Sequence, residues 1–153
     1  MYRPLAQFGM YGTYARKPKG ATMSDLGDTV TPVVLIAEDE EPIAQAIAYI
    51  VEDLGYTPAI AIHGKQALEL ARASRPALVI TDLMMPQMTG AELIRAIHDD
   101  ASRLHYRAPP IILMSAAGRQ YVDSVGADAC LPKPFDVSQV EALLDHYLHA
   151  EDE

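Results

Sequence analysis

The sequence predicts an α/β protein: a doubly wound, five-stranded parallel sheet with helices on both faces, in three α/β/α layers. Three observations carry that expectation. Short apolar runs of strand length recur as VVLIA (33–37), AIAI (59–62), ALVIT (77–81), IILMS (111–115) and ACL (129–131). The runs are unbroken rather than alternating, which suits strands covered on both faces and hence a parallel sheet. Helical patterns lie between them, and a repeated β-α order favours right-handed crossovers in a doubly wound sheet.

Each element has a local cause. Residues 1–31 show neither period and are rich in Gly, Pro, Tyr and Thr, so they read as a flexible N-terminal extension, with Met23 inside it as an alternative start. The folded domain is expected over 32–149, and 150–153 form an acidic C-terminal end. After the first strand, Ile43, Ile47, Ile50, Val51 and Leu54 share one helix face, and Gly55 ends that helix. A helix over about 64–73 follows the second strand. Thr89 and Glu92, three residues apart, make a capping box ahead of Leu93, Ile94 and Ile97. A helix over about 118–125 follows the fourth strand. Asp136 caps the last helix, whose inward face reads Val137, Val140, Leu144 and Leu148.

Composition narrows the class. The chain has 153 residues, 50% of them apolar, which suffices for one domain with one sizeable core. No stretch approaches the ~18–20 apolar residues that cross a bilayer, so no membrane insertion is expected. The N-terminus lacks the apolar core of a secretory signal, and a lone cysteine, Cys130, excludes an internal disulfide. A cytoplasmic location is expected. Charge is unevenly spread: residues 1–31 carry a net +2 and the remainder −11, which together give −9. An acidic domain repels phosphate backbones, so direct nucleic-acid binding is disfavoured.

In a doubly wound sheet the working site lies at the carboxyl ends of the strands. The first strand runs into Glu38 and Asp39, the third into Asp82, the fourth ends at Ser115 and the fifth leads to Lys133. Each alone reads equally well as a turn, a cap or a surface charge. Together they place carboxylates, a hydroxyl and an ammonium on one rim. Clustered carboxylates take a hard divalent cation with oxygen ligands, here Mg²⁺. Mg²⁺ with a lysine and a hydroxyl holds phosphoryl oxygens. A carboxylate among them can act as a nucleophile toward phosphorus and form an aspartyl phosphate.

These residues resemble the receiver domain of two-component response regulators. "LIAEDEEPI", "VITDLMMPQMTG", "ILMSA" and "GADACLPKPFD" match its signature segments in order, over about residues 33–148. The resemblance implies the flavodoxin-like, CheY-like fold. It makes Asp82 the phosphoacceptor, gives the Mg²⁺ to Glu38, Asp39, Asp82 and the backbone carbonyl of Met84, and sets Ser115 and Lys133 on the phosphoryl group. It implies a cis Lys133–Pro134 bond, which aims the lysine. It also implies a sensor histidine kinase or histidine phosphotransfer protein as phosphodonor and an unidentified downstream protein as recipient. The activity would be autocatalytic phosphoryl acceptance and self-dephosphorylation, not that of an enzyme. No output domain follows Glu153, so a stand-alone receiver is expected. Glu40 and Glu41 belong to the helix start, where the macrodipole favours negative charge.

Two features depart from the family. Receivers carry Tyr, Phe or His three residues before the site lysine as a rotameric switch; here that residue is Cys130. Eleven positions take Ser115 to Gly126, about four fewer than usual, or about one helical turn. The connection over 98–110 into the fourth strand is longer than usual. The alternative is a degenerate receiver, a phosphorylation-independent interaction module. A haloacid-dehalogenase-type phosphatase would need a second acid two residues after the nucleophile, where Met84 stands. A flavodoxin-like FMN binder would need a phosphate loop where Glu38 and Asp39 stand.

Overall fold

The computed structural model describes residues 31–149. Five parallel strands form one sheet in the order β2-β1-β3-β4-β5, with β1 Val33–Ala37, β2 Thr57–Ala61, β3 Leu78–Asp82, β4 Ile111–Ser115 and β5 Ala129–Pro132. The helices are α1 Glu41–Asp53, α2 Gly64–Ser74, α3 Gly90–Leu104, α4 Val122–Val125 and α5 Val137–Leu144. The expected doubly wound sheet is therefore the observed one. Of the extension expected over 1–31 only Thr31 lies among the described residues, and the acidic end at 150–153 lies outside them.

The unbroken apolar runs have the cause proposed for them. Side chains alternate across the pleat, so Val33, Leu35, Ala37, Val79, Ile111 and Leu113 face one layer, packing with Leu93, Ile94 and Ile97 of α3 and Leu68 of α2. Val34, Ile36, Leu78, Ile80, Ile112 and Met114 face the other, against Ile47 and Val51 of α1 and Val140 and Leu144 of α5. No described helix is long and apolar enough to cross a membrane.

Boundaries differ from expectation in instructive places. β2 begins at Thr57 rather than Ala59 and releases Ile62, which is exposed. It is an edge strand, paired only with β1. Thr57 N–H bonds inward to the Pro32 carbonyl, so the next position faces outward, where proline forfeits no ladder bond. β3 is shifted by one residue and takes in Asp82 itself. Val137, assigned to the buried face of α5, is 57% exposed, whereas Val140 and Leu144, with Leu148 in the π-helical turn Asp145–His149 that follows α5, are buried.

Caps form with one exchange of roles. The Thr89 hydroxyl accepts the Glu92 N–H, which is half of a capping box, whereas the full box stands at Asp136 with Gln139. Gly55 ends α1 at φ +95°. The fourth helical segment is a 3-10 turn, Gly118–Tyr121, running into the single turn of α4, which bears out the shortening. The extra length before β4 is shared between α3, which persists to Leu104, and the segment 105–110.

Candidate functional site

The strand order reverses between β2 and β3 on either side of β1, so the connections leaving β1 and β3 diverge and open a crevice at their carboxyl ends. β1 carries Glu38 into it. The residue continues the strand, its N–H bonded to the Ala61 carbonyl at 3.0 Å, and its side chain is 0% exposed. Asp39, one residue on, is exposed. Glu40 and Glu41 are exposed at the start of α1, as the macrodipole argument requires.

β3 ends on Asp82, and two neighbours fix its backbone. The Thr81 hydroxyl donates to the Asp82 carbonyl at 2.9 Å. Gly90, which opens α3, lies so close that a Cβ there would collide with that same carbonyl oxygen. Its own N–H bonds the Leu83 carbonyl at 2.8 Å. Neither Thr81 nor Gly90 was singled out as a site residue. The signal for Gly90 lay in the quoted "PQMTG", a glycine at a helix start beside the acceptor.

β4 brings Ser115 to the same rim, 5% exposed, with its hydroxyl oxygen accepting the Ala117 N–H at 3.1 Å. β5 leads to Lys133, whose N–H bonds the Ser115 carbonyl at 3.2 Å, and the Lys133–Pro134 bond is cis as expected. The lysine ammonium reaches into the cluster, 2.7 Å from Glu38 Oε1 and 3.1 Å from Asp82 Oδ2. Met84 lies in the loop after Asp82 with its side chain 70% exposed. Cys130 is half-buried on β5, and burial pushes its thiol up, against the opposing charge of Arg119.

One oxygen from each of Glu38, Asp39 and Asp82 lies within 4.8 Å of the other two. Three carboxylates and one ammonium leave a formal charge of −2. Burial pushes Glu38 up to about 7; the Lys133 hydrogen bond opposes that, and the nearby Asp82 charge adds to it. Burial alone would lower the Lys133 ammonium, but its hydrogen bonds to Glu38 and Asp82 outweigh burial and raise it. Repelling carboxylates held in place by β1 and β3 are stabilised by a cation. The oxygen donors and the charge suit Mg²⁺, so the residues fit the expected ion.

Comparison with known proteins points the same way. The family model for the response regulator receiver domain matches residues 34–145. Response regulator Rre1 of Synechocystis is 31% identical over 123 residues, which cover 76% of this chain and 52% of that protein. The chain spans about half the length of most curated relatives it matches. Among solved structures, chemotaxis protein CheY4 of Vibrio cholerae superposes with a TM-score of 0.68 at 30% identity, covering 77% of this chain and 99% of that one. The receiver domain of Ssk1 from Saccharomyces cerevisiae, solved with the histidine phosphotransfer protein Ypd1, gives a TM-score of 0.71. It covers 80% of this chain and 94% of that one, and at 21% identity the likeness is one of fold.

Proposed function

The chain belongs to the response regulator receiver domain family, and on that premise we propose that Asp82 accepts a phosphoryl group in a Mg²⁺-dependent reaction. The observation that carries this reading is the convergence of Lys133 on both Glu38 and Asp82 beside a third carboxylate. The donor is a phosphohistidine of a sensor kinase or phosphotransfer protein, the kind of partner with which the Ssk1 receiver was solved. Output runs through contacts with a downstream protein or onward phosphotransfer, in the cytoplasm. No separate substrate is turned over.

The chemistry falls to five side chains, one backbone carbonyl and one ion. A carboxylate oxygen of Asp82 attacks phosphorus; the P–N bond of the donor breaks and its electron pair stays on the imidazole nitrogen. Lys133 already holds Asp82 Oδ2 and can follow charge onto the phosphoryl oxygens without crossing the site. The Ser115 hydroxyl donates to one of those oxygens. Glu38, Asp39, Asp82 and the Met84 carbonyl would hold Mg²⁺, which supplies positive charge to the phosphoryl group when bound.

A cleft of about 560 Å³ between α1 and the start of α5, lined by Tyr49, Ile50, Phe135 and Val137, adjoins the lysine loop. Tyr49 is 80% exposed, and so large an apolar surface beside Pro134 suits the phosphodonor's docking helix.

Mass spectrometry after incubation with acetyl phosphate and Mg²⁺ tests the reading. One phosphorylation is expected, lost in Asp82→Asn, lost without Mg²⁺ and lost in Asp39→Ala, whereas Glu41→Ala changes little. Folded protein of unchanged mass would establish the degenerate, phosphorylation-independent module instead.

A further inference from the structure

We infer that the pole opposite the phosphorylation site carries a pocket for a small phosphate-bearing ligand, held by Arg75 and Arg107. A cleft of about 210 Å³ opens there, lined by Arg75, Pro76, Ile97, Tyr106, Arg107 and Pro109, with the Asp100 carboxylate also at its surface. Pro76 precedes β3 and Pro109 precedes β4, so the cleft lies at the amino ends of the strands, away from Asp82.

Charge first singles it out. Residues 32–153 carry 8 basic and 19 acidic side chains, yet four of those eight, Arg72, Arg75, Arg103 and Arg107, gather at this pole. Two of them are spoken for. Asp100, 6% exposed, receives Arg72 at 2.7 Å and Arg103 at 3.2 Å, and those hydrogen bonds hold its carboxyl below the usual range. That leaves Asp100 unable to neutralise the rest. Among the described residues neither Arg75 nor Arg107 has a carboxylate partner. Both are exposed, so in a domain with more than twice as many acids as bases two guanidiniums without a carboxylate partner stand at the rim of one cleft.

Geometry supplies the second argument. Arg75 ends α2 at φ +46° and His105 ends α3 at φ +58°, left-handed conformations that favour glycine. Together they set Arg75 over the Tyr106 ring, 3.8 Å from its centroid. Stacking uses the face of the guanidinium and leaves its in-plane N–H donors unspent and pre-oriented. With the Arg107 guanidinium beside it at the same cleft, the two forks offer more donors than one carboxylate can accept, and match the several oxygens of a phosphate. The cleft is smaller than the ~300–1,000 Å³ of drug-sized sites, so the phosphate brings only a short organic body against Ile97 and the prolines.

The test is an NMR titration of the full chain, in EDTA to keep phosphate from being drawn to the carboxylate site by metal. Probes are inorganic phosphate, glycerol phosphate and, for a lipid source, vesicles containing phosphatidic acid. Saturable shifts at Arg75, Tyr106 and Arg107 are expected with phosphate and not with chloride of equal ionic strength. Glycerol phosphate should bind more tightly than phosphate. Arg75→Ala/Arg107→Ala should raise the dissociation constant by about tenfold or more while leaving Asp82 phosphorylation intact. Arg107→Ala alone, which breaks no hydrogen bond or ion pair among the described residues, guards against a folding artefact and should weaken binding in the same direction. Binding of vesicles without glycerol phosphate would assign the phosphate to a membrane lipid. Shifts that never saturate, that chloride reproduces, or that survive both variants overturn the inference.

Discussion

A carboxylate with no exposed surface is the least comfortable residue in the molecule, and Glu38 owes its position to the strand that carries it. Nothing in the string EDEE says that Glu38 is buried and Asp39 exposed. The difference follows from Glu38 extending the pleat, bonded to Ala61, while the chain turns outward one residue later. The chemistry of the run was legible; its division between buried and exposed was not. The raised Glu38 has a thermodynamic consequence. An acid whose folded pKa lies above its unfolded value binds more protons when folded, so stability falls as pH rises between the two values. The window is 4.5 to about 7. The cation-free protein should therefore lose up to about 3 kcal/mol across it, and Mg²⁺ should oppose the loss. Lys133, also raised, acts only above pH 10.5, outside the window. Urea midpoints between pH 5 and 7.5 should fall for the metal-free protein and lie flat for Glu38→Gln. A rising midpoint would refute the account. A second consequence concerns the lifetime of the phosphoryl group. Met84 and Ala117 are both exposed at the mouth, so water reaches the site, but neither side chain can place it in line with phosphorus. Self-dephosphorylation should be slow, and Met84→Asn with Ala117→Glu should shorten the half-life about tenfold or more, the scale of one general base. An unchanged or longer half-life in a phosphate-release assay counts against this.

Elements were legible wherever one force set them. Strands buried on both faces announce themselves as unbroken apolar runs, and all five were found. Where two forces compete, the reading slipped. The run AIAI sets the second strand at 59–62, yet β2 starts at Thr57, because at the edge of the sheet the nitrogen of Pro58 faces no partner. Val137 has the right phase for the buried face of α5, but phase does not say whether a neighbouring helix reaches that far, and at the helix start none covers it. The two ends of that helical face should accordingly behave differently. Leu144, 0% exposed between α1 and the sheet, should cost about 2–5 kcal/mol on truncation to alanine. Val137→Ser should change stability by less than about 0.5 kcal/mol and instead slow phosphotransfer from the protein donor, leaving acetyl phosphate unaffected. Paired urea melts and transfer assays separate the two. A Val137→Ser variant as unstable as Leu144→Ala would return that residue to the core.

At the scale of the whole molecule, the sheet fixes where a signal can begin and the helices decide where it can go. On the proposed reading, phosphorylation would add negative charge beside Glu38 and Asp39, a bound cation and Lys133 would hold it, and the Ser115 hydroxyl would be drawn toward it. In receivers with an aromatic before the site lysine, ring movement can carry that displacement to the face formed by the fourth helix, fifth strand and fifth helix. Here Cys130 stands in that place, too small to replace a ring, and α4 is a single turn after a 3-10 segment. What is left to take up that displacement is the backbone beyond Ser115, where Ala116 and Ala117 are exposed and Gly118 sits at φ +77° with open space around its α-carbon. Activation should then be concentrated in residues 115–120 and at the α1 and Pro134 side of the site, a pattern that suits relay or phosphate storage better than an adaptor. Amide exchange with and without beryllofluoride, a phosphoryl mimic, tests this directly. Protection changes should peak at Ser115 and the following loop and fade before Cys130. Changes as strong over 120–131 and α5 as around Asp82 would mean that the missing ring and the missing turn are compensated, and the expected route of output would be wrong.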